Sequence, residues 1–261
     1  MHHGFTRALA AFLFLAFAVA CANEMTAEQA RSKIDALGVP FDEEGIVGAI
    51  GSGDNELLRL FLLAGFDPDR RQESTPAPLE LAAARANLPA LRMLIEAGAS
   101  AAELPGILNV PAARDDVTAL ELLLDAGADI ESEDHLRQTA LGAAASRGRT
   151  LATQLLLERG ASPDGRTGRG ERPLLIAIKI DSRELLEMLV DAGANVEWVG
   201  GAPIASPLIV AAGRGQAETV DYLLAQGAEP ARAIGGMTAA RAARRSGHEG
   251  LAERLEQAAA N

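Results

Sequence analysis

A nineteen-residue interval, repeated six times, constrains this chain more than any other feature. An aliphatic residue stands nineteen positions before a glycine at Ile46 and Gly65, Leu79 and Gly98, Leu108 and Gly127, Leu141 and Gly160, Leu174 and Gly193, and Leu208 and Gly227. Successive glycines are 33, 29, 33, 33 and 34 residues apart. The interval is therefore the rigid unit, and the connector absorbs the variation. A fixed period of this size is the mark of a linear array rather than a single globule.

The block from Thr139 to Asp164, TALGAAASRGRTLATQLLLERGASPD, is a clean copy. It predicts a short helix, a turn at Arg147-Gly148, a second helix and a stop at Gly160. The second helices carry apolar residues at i, i+3 and i+4: Leu91, Leu94 and Ile95; Leu120, Leu123 and Leu124; Leu186, Leu189 and Val190. That spacing gives one apolar helix face. Pro173 and Pro207 fall at the first helical position, where a missing N–H costs nothing. Ala82-Ala83, Ala144-Ala145 and Ala211-Ala212 allow neighbouring helices to approach closely. With one Trp, one Tyr and seven Phe in 261 residues, a core of large side chains is not expected. A single pair cannot bury its apolar face alone, so pairs must stack.

The period, the Ser/Thr-Pro-Leu-type starts, the Ala-Ala pairs and ends such as Leu123-Leu124-Asp125-Ala126-Gly127-Ala128 resemble the ankyrin repeat over about residues 42–256. The resemblance implies an all-α ankyrin-repeat solenoid of helix-turn-helix units joined by β-hairpin or loop fingers. Thr26-Ala27-Glu28-Gln29 has capping-box spacing and opens a lead-in helix over 26–38, with Ala30, Ile34 and Leu37 on its apolar face. Six repeats are expected over about 42–234 and a charged C-terminal cap over 235–257, all within one domain, 26–261. Two departures stand out. The family's His after Thr-Pro-Leu is replaced by Glu80, Asn109, Gly142, Leu175 and Ile209, which implies one hydrogen bond fewer per repeat. The third unit has a short connector and Pro111 near its helix start, which predicts no finger and a distorted first helix.

The N-terminus reads as a targeting segment, residues 1–20. Arg7 precedes an apolar run from Ala8 to Ala20, shorter than the ~20 residues a membrane span needs. Ala18-Val19-Ala20 has the form cut by ordinary signal peptidase, while Ala18-Val19-Ala20-Cys21 resembles a bacterial lipobox, with Ala18 where Leu is usual. Cys21 is the sole cysteine and sits at the cleavage point, which favours lipidation of Cys21 and a linker over 21–25. Ala22 after it points to the outer membrane. The alternative is a soluble periplasmic protein. Only Lys33 and Lys179 among 24 basic residues are lysines, a bias that fits a GC-rich bacterial genome.

A formal net charge of −12 argues against nucleic-acid binding, which needs a positive surface. Within this acidic chain, Arg85, Arg114, Arg147 and Arg214 recur six residues after the helix-start aliphatic, with Lys179 one place earlier in its unit. They form either a partner-binding stripe or a set of cations near helix C-termini, where the dipole favours them by ~0.3–1 kcal/mol. Trp198, in a long finger, is either a binding residue or packed against its own scaffold. His135 lies beside Glu133 and Asp134, and His248 follows Gly247 at a turn; no His or Cys pair has zinc spacing. Gly165 to Gly170 (GRTGRG) is glycine-rich but lacks the Lys-Ser/Thr of a P-loop and reads as a basic finger tip.

The expectation is a non-catalytic protein-binding module with no cofactor and no small-molecule substrate. Its partner would be a protein, and the basic stripe would suit an acidic segment in it. The module would sit in the bacterial periplasm, anchored to the outer membrane through Cys21, as a scaffold or helper. A toxin-neutralising immunity protein and a hydrolase built on His135 are the alternatives.

Overall fold

The computed structural model describes residues 25–70, 75–200 and 205–260. Arg7, the apolar run and Cys21 lie outside the described residues, so the export and lipidation expectations rest on the sequence alone. The described residues hold fifteen helices. The lead-in helix α1 (Ala27–Ala36) precedes seven pairs. These are α2 (Glu43–Ser52) with α3 (Asn55–Leu63), α4 (Pro78–Arg85) with α5 (Leu88–Glu96), and α6 (Asn109–Arg114) with α7 (Val117–Asp125). Then follow α8 (Ala140–Ala145) with α9 (Thr150–Glu158), α10 (Pro173–Lys179) with α11 (Arg183–Asp191), α12 (Pro207–Gly213) with α13 (Ala217–Ala225), and α14 (Ala239–Arg245) with α15 (Glu249–Ala260). The chain divides into two compact units, Met1–Leu81 and Ala82–Asn261.

The nineteen-residue interval has a direct physical meaning. Its starting aliphatics, from Ile46 to Leu208, are all at most 2% exposed. Its six terminal glycines all have positive φ, from 83° to 100°, the left-handed stop that side-chain-bearing residues avoid.

In the first unit the Thr26–Gln29 capping box forms in both directions. Ala30 and Ile34 are buried, but Leu37, expected on the same face, is 62% exposed. The helix ends at Ala36, so Leu37 is its C-cap and turns away from the apolar stripe. Helices α1 and α2 both pack on α3. Phe41, Phe61 and Phe66 form a closed aromatic trio with ring centroids 5.2, 5.4 and 5.6 Å apart. The Arg31 guanidinium covers Phe41 at 4.0 Å.

In the second unit, first helices stack on first helices: α6 on α8, α8 on α10, α10 on α12 and α12 on α14. Side chains at the turns reach back to the preceding repeat. Arg149 Nε donates to Ala113 O at 3.1 Å, Arg214 donates to Lys179 O at 2.8 Å, and Gln216 donates to Ile178 O at 2.9 Å. Arg149 and Arg214 supply donors to helix-terminal carbonyls, and Gln216 adds a second donor to Ile178 O, which already accepts the Asp181 N–H. A second ladder links the connectors: Ser162 N–H donates to Glu131, Asn195 N–H to Asp164, and Glu229 N–H to Glu197.

Among the described residues the fingers form tight turns and isolated bridges rather than strand ladders. Asp134 N–H donates to Gln138 O and Thr167 N–H to Glu171 O, while Gly200 with Ala205 and Ile234 with Met237 form isolated bridges. The third pair has no such finger; turns at Ala101–Leu104 and Leu104–Ile107 fill its connector. Its first helix is nonetheless α-helical, contrary to the distortion expected from Pro111. Proline is the third residue of α6, inside the first turn, where no intrahelical acceptor waits for its N–H.

The lost histidine bond is also replaced in two places. Asn109 Nδ2 donates to Gln138 O at 2.8 Å, joining α6 to the next finger. At Gly142 the next finger comes so close that a Cβ would lie 1.9 Å from Arg166 O, and Thr139 N–H bonds that same carbonyl at 3.0 Å.

Candidate binding groove

The stacked first helices and two fingers of the second unit enclose an open groove of about 640 Å³. Its floor comes from α6 (Asn109, Val110, Ala113), α8 (Ala143) and α10 (Ile176), and its wall from the fingers around Asp134–Gln138 and Thr167–Glu171. Arg114 and Arg147, at the ends of the first helices, complete it together with Arg169 from the GRTGRG finger.

The walls are held by polar contacts that range from buried at Glu171 to exposed at Leu136. Glu171 is 7% exposed, accepts an ion pair from Lys179, and its N–H donates to Thr167 Oγ1 at 3.1 Å. Asp134 accepts from the Leu136 and Gln138 N–H groups at 2.8 and 3.0 Å. Burial pushes the Asp134 carboxyl up, but the Gln138 N–H, the Asn109 amide, the Leu136 N–H and His135 outweigh it and hold it below the ordinary range. A depressed folded value means that the stabilisation is fully present above the unfolded value, about pH 4, and is lost as pH falls through the lower folded one. Asp134→Ala is therefore expected to remove part of the acid dependence of the finger, read as faster amide exchange at Leu136 and Gln138 already at neutral pH. Unchanged exchange at both would show that the carboxylate does not hold the finger.

The basic column divides. Arg214 caps the preceding repeat through Lys179 O, and Lys179 is committed to Glu171. Arg85 is exposed at the end of α4 and already has a partner. At α6, the capping role belongs to Arg149 through Ala113 O, which leaves Arg147 without it. Arg114, Arg147 and Arg169 are exposed, and among the described residues none has a hydrogen-bond or ion-pair partner. The column is thus part helix cap and part groove rim, a division that needed knowledge of which side chains meet across 35 or 36 residues.

Trp198 lies outside the groove. Its indole folds onto its own finger, so close over Gly200 that a Cβ there would sit 2.3 Å from the ring, and the Arg172 guanidinium is 5.8 Å from the ring centroid. It is half-buried and packs on scaffold. His248 likewise packs against Gly215. His135 is exposed at the finger tip, and no group of three or more His, Cys, Asp and Glu able to hold a metal occurs among the described residues. In the GRTGRG finger, the Thr167 and Gly170 N–H groups are spent on Glu171 O and Thr167 O, so they cannot cradle a phosphate. Glu171 and Leu136 carry no sequence motif, and Asn109 stands out only as a replacement of the family's histidine. Their only signal is position, immediately before or after a finger or at the histidine slot.

Comparison with known proteins agrees with this architecture. Residues 108–198 match a model for ankyrin repeats in three copies, and residues 205–233 match a single ankyrin repeat. A putative ankyrin repeat-containing protein of Treponema pallidum (strain Nichols) is 28% identical over 166 residues, covering 64% of this chain and 46% of that protein. The chain thus spans about half the length of that curated relative. The crystal structure of the ankyrin repeat domain of Bcl-3, described as a unique member of the IkappaB protein family, superposes with a TM-score of 0.67 at 27% identity. It covers 80% of this chain and 97% of its own. Residues 108–198 and 205–233 thus match ankyrin repeats, and the fold is the all-α ankyrin-repeat solenoid.

Proposed function

We propose that this chain is a non-catalytic protein-binding module of the bacterial cell envelope, tethered through a lipid on Cys21 and serving as a scaffold or helper for a periplasmic partner. The observation that carries the binding role is the groove itself. Its walls are fixed by buried and half-buried hydrogen bonds, whereas its rim keeps the Arg114, Arg147 and Arg169 guanidiniums uncommitted. Preorganised walls reduce the ordering cost of association. The ionisable groups that line it suit recognition rather than catalysis: Asp134 Oδ1 accepts two backbone N–H groups of its own finger, and Glu171 is paired with Lys179. The bacterial setting is supported by the Treponema relative, and the tether by the lone cysteine at a lipobox-like site.

Envelope capture with the full chain tests this reading. A stoichiometric partner is expected, retained by Arg214→Glu, whose wild-type side chain faces a backbone carbonyl, and lost with Arg147→Glu. In parallel, Cys21→Ser is expected to move the protein from the membrane to the soluble fraction. A protein that captures nothing at any expression level is a spacer, and fractionation unaffected by Cys21→Ser removes the lipid tether.

A further inference from the structure

We infer that the groove receives an extended acidic peptide segment with an apolar residue among its carboxylates. This rests on the protein-binding reading and names the chemistry of what binds. Two observations fix that chemistry. The first is charge. The chain carries −12 overall, yet three guanidiniums gather around one groove without an anionic partner among the described residues. The acidic side chains that share the groove do not satisfy them, because Glu171 is buried against Lys179 and Asp134 is turned into its own finger backbone. Guanidinium pairs with carboxylate in a planar, two-point geometry, so each rim arginine is a ready receptor for an Asp or Glu side chain.

The second observation is apolar exposure. Val110 and Leu136, 38% and 57% exposed, are among the few large hydrophobic side chains left open in the described residues, and both line this groove. A bare polyanion would leave them wet, whereas a peptide with Leu, Val or Phe between its carboxylates covers them. Burial of an apolar side chain there adds to affinity in proportion to the apolar area covered. A nucleic acid has no aliphatic side chain to cover Val110 and Leu136, which is what separates the two polyanions.

The test uses a fluorescein-labelled short peptide of alternating Asp and Glu with one central Leu, read by anisotropy against the mature protein. Controls are the same peptide with Lys for each acid, the same peptide with Ser for Leu, and a single-stranded oligonucleotide of equal charge. The acidic Leu peptide should bind. Its affinity should fall roughly tenfold or more in Arg147→Glu and in Arg169→Glu, both exposed positions that leave the helical spectrum intact. Arg214→Glu should change it little. The Ser peptide should bind more weakly, the Lys peptide should not bind, and binding should weaken with salt.

Equal or tighter binding of the oligonucleotide overturns the peptide assignment in favour of a phosphate polyanion. Binding that ignores the groove variants overturns the location. If the acidic peptide fails to bind while Arg147→Glu still abolishes capture of an envelope partner, the acidic chemistry is wrong and the binding module stands.

Discussion

Replacing Gly142 by alanine is expected to destabilise the second unit by about 1–3 kcal/mol, although alanine is the better helix former. Propensity favours the substitution by up to ~1 kcal/mol. Against it stands a steric fact: the added methyl carbon would lie 1.9 Å from Arg166 O and 2.6 Å from its carbonyl carbon. The obstacle is backbone, so no side-chain rotation relieves it. The finger must retreat, which costs ~1–3 kcal/mol of strain and repacking. It also breaks the Thr139 N–H bond to Arg166 O, worth ~0.5–1.5 kcal/mol. The opposing terms leave a net loss. Denaturant unfolding followed by circular dichroism and by the fluorescence of Trp198, the chain's only tryptophan, measures it. Because the displaced finger carries Arg169 and Glu171, the same variant should also lose affinity for the groove's ligand. A Gly142→Ala protein as stable as the parent would mean that the close approach of finger to helix is not maintained in solution.

That contact shows where the sequence is legible and where it is not. The helix pairs could be read because their determinants are local: a glycine that ends each second helix, a proline or threonine that starts a first helix, an aliphatic residue nineteen places upstream. Each of these acts within a few residues of itself. The histidine slot could not be read, because its meaning depends on what the next repeat brings against it. Gly142 looked like a missing hydrogen bond and is a place where two backbones meet. Asn109 looked the same and is a hydrogen bond of another kind.

The arginine column fails to resolve for a related reason. Arg147 and Arg149 stand two positions apart, and nothing local shows that Arg149 is the one that reaches Ala113 O. Only once that bond is known does Arg147 join Arg114 and Arg169 as an uncommitted cation at the rim. Trp198 illustrates the converse. Composition marks it as unusual, and only the structure shows that the indole lies on Gly200, a neighbour two residues away.

The first unit offers a sharper test, because one helix contains two glycines with opposite expectations. Gly45→Ala should destabilise α1–α3 by about 1–3 kcal/mol, whereas Gly48→Ala should stabilise them by about 0.5–1 kcal/mol. The chemical change is identical, and both positions lie in α2. Alanine lowers the conformational entropy of the unfolded chain equally at either site. At Gly48 the new methyl group meets nothing within 4 Å, so the entropic gain is kept. At Gly45 it would stand 2.0 Å from Pro40 O and 2.7 Å from Phe61 Cζ. Phe61 is fully buried and locked by Phe41 and Phe66, so its ring cannot swing aside without opening the aromatic trio. Moving Pro40 instead would shift the chain that links α1 to α2, and with it the Asp42 cap that receives the Gly45 N–H at 3.0 Å. Amide exchange across α1, α2 and α3 separates the outcomes: faster throughout for Gly45→Ala, slower for Gly48→Ala. If both variants shifted exchange in the same direction, packing of Gly45 against Pro40 and Phe61 would not be what holds this unit together.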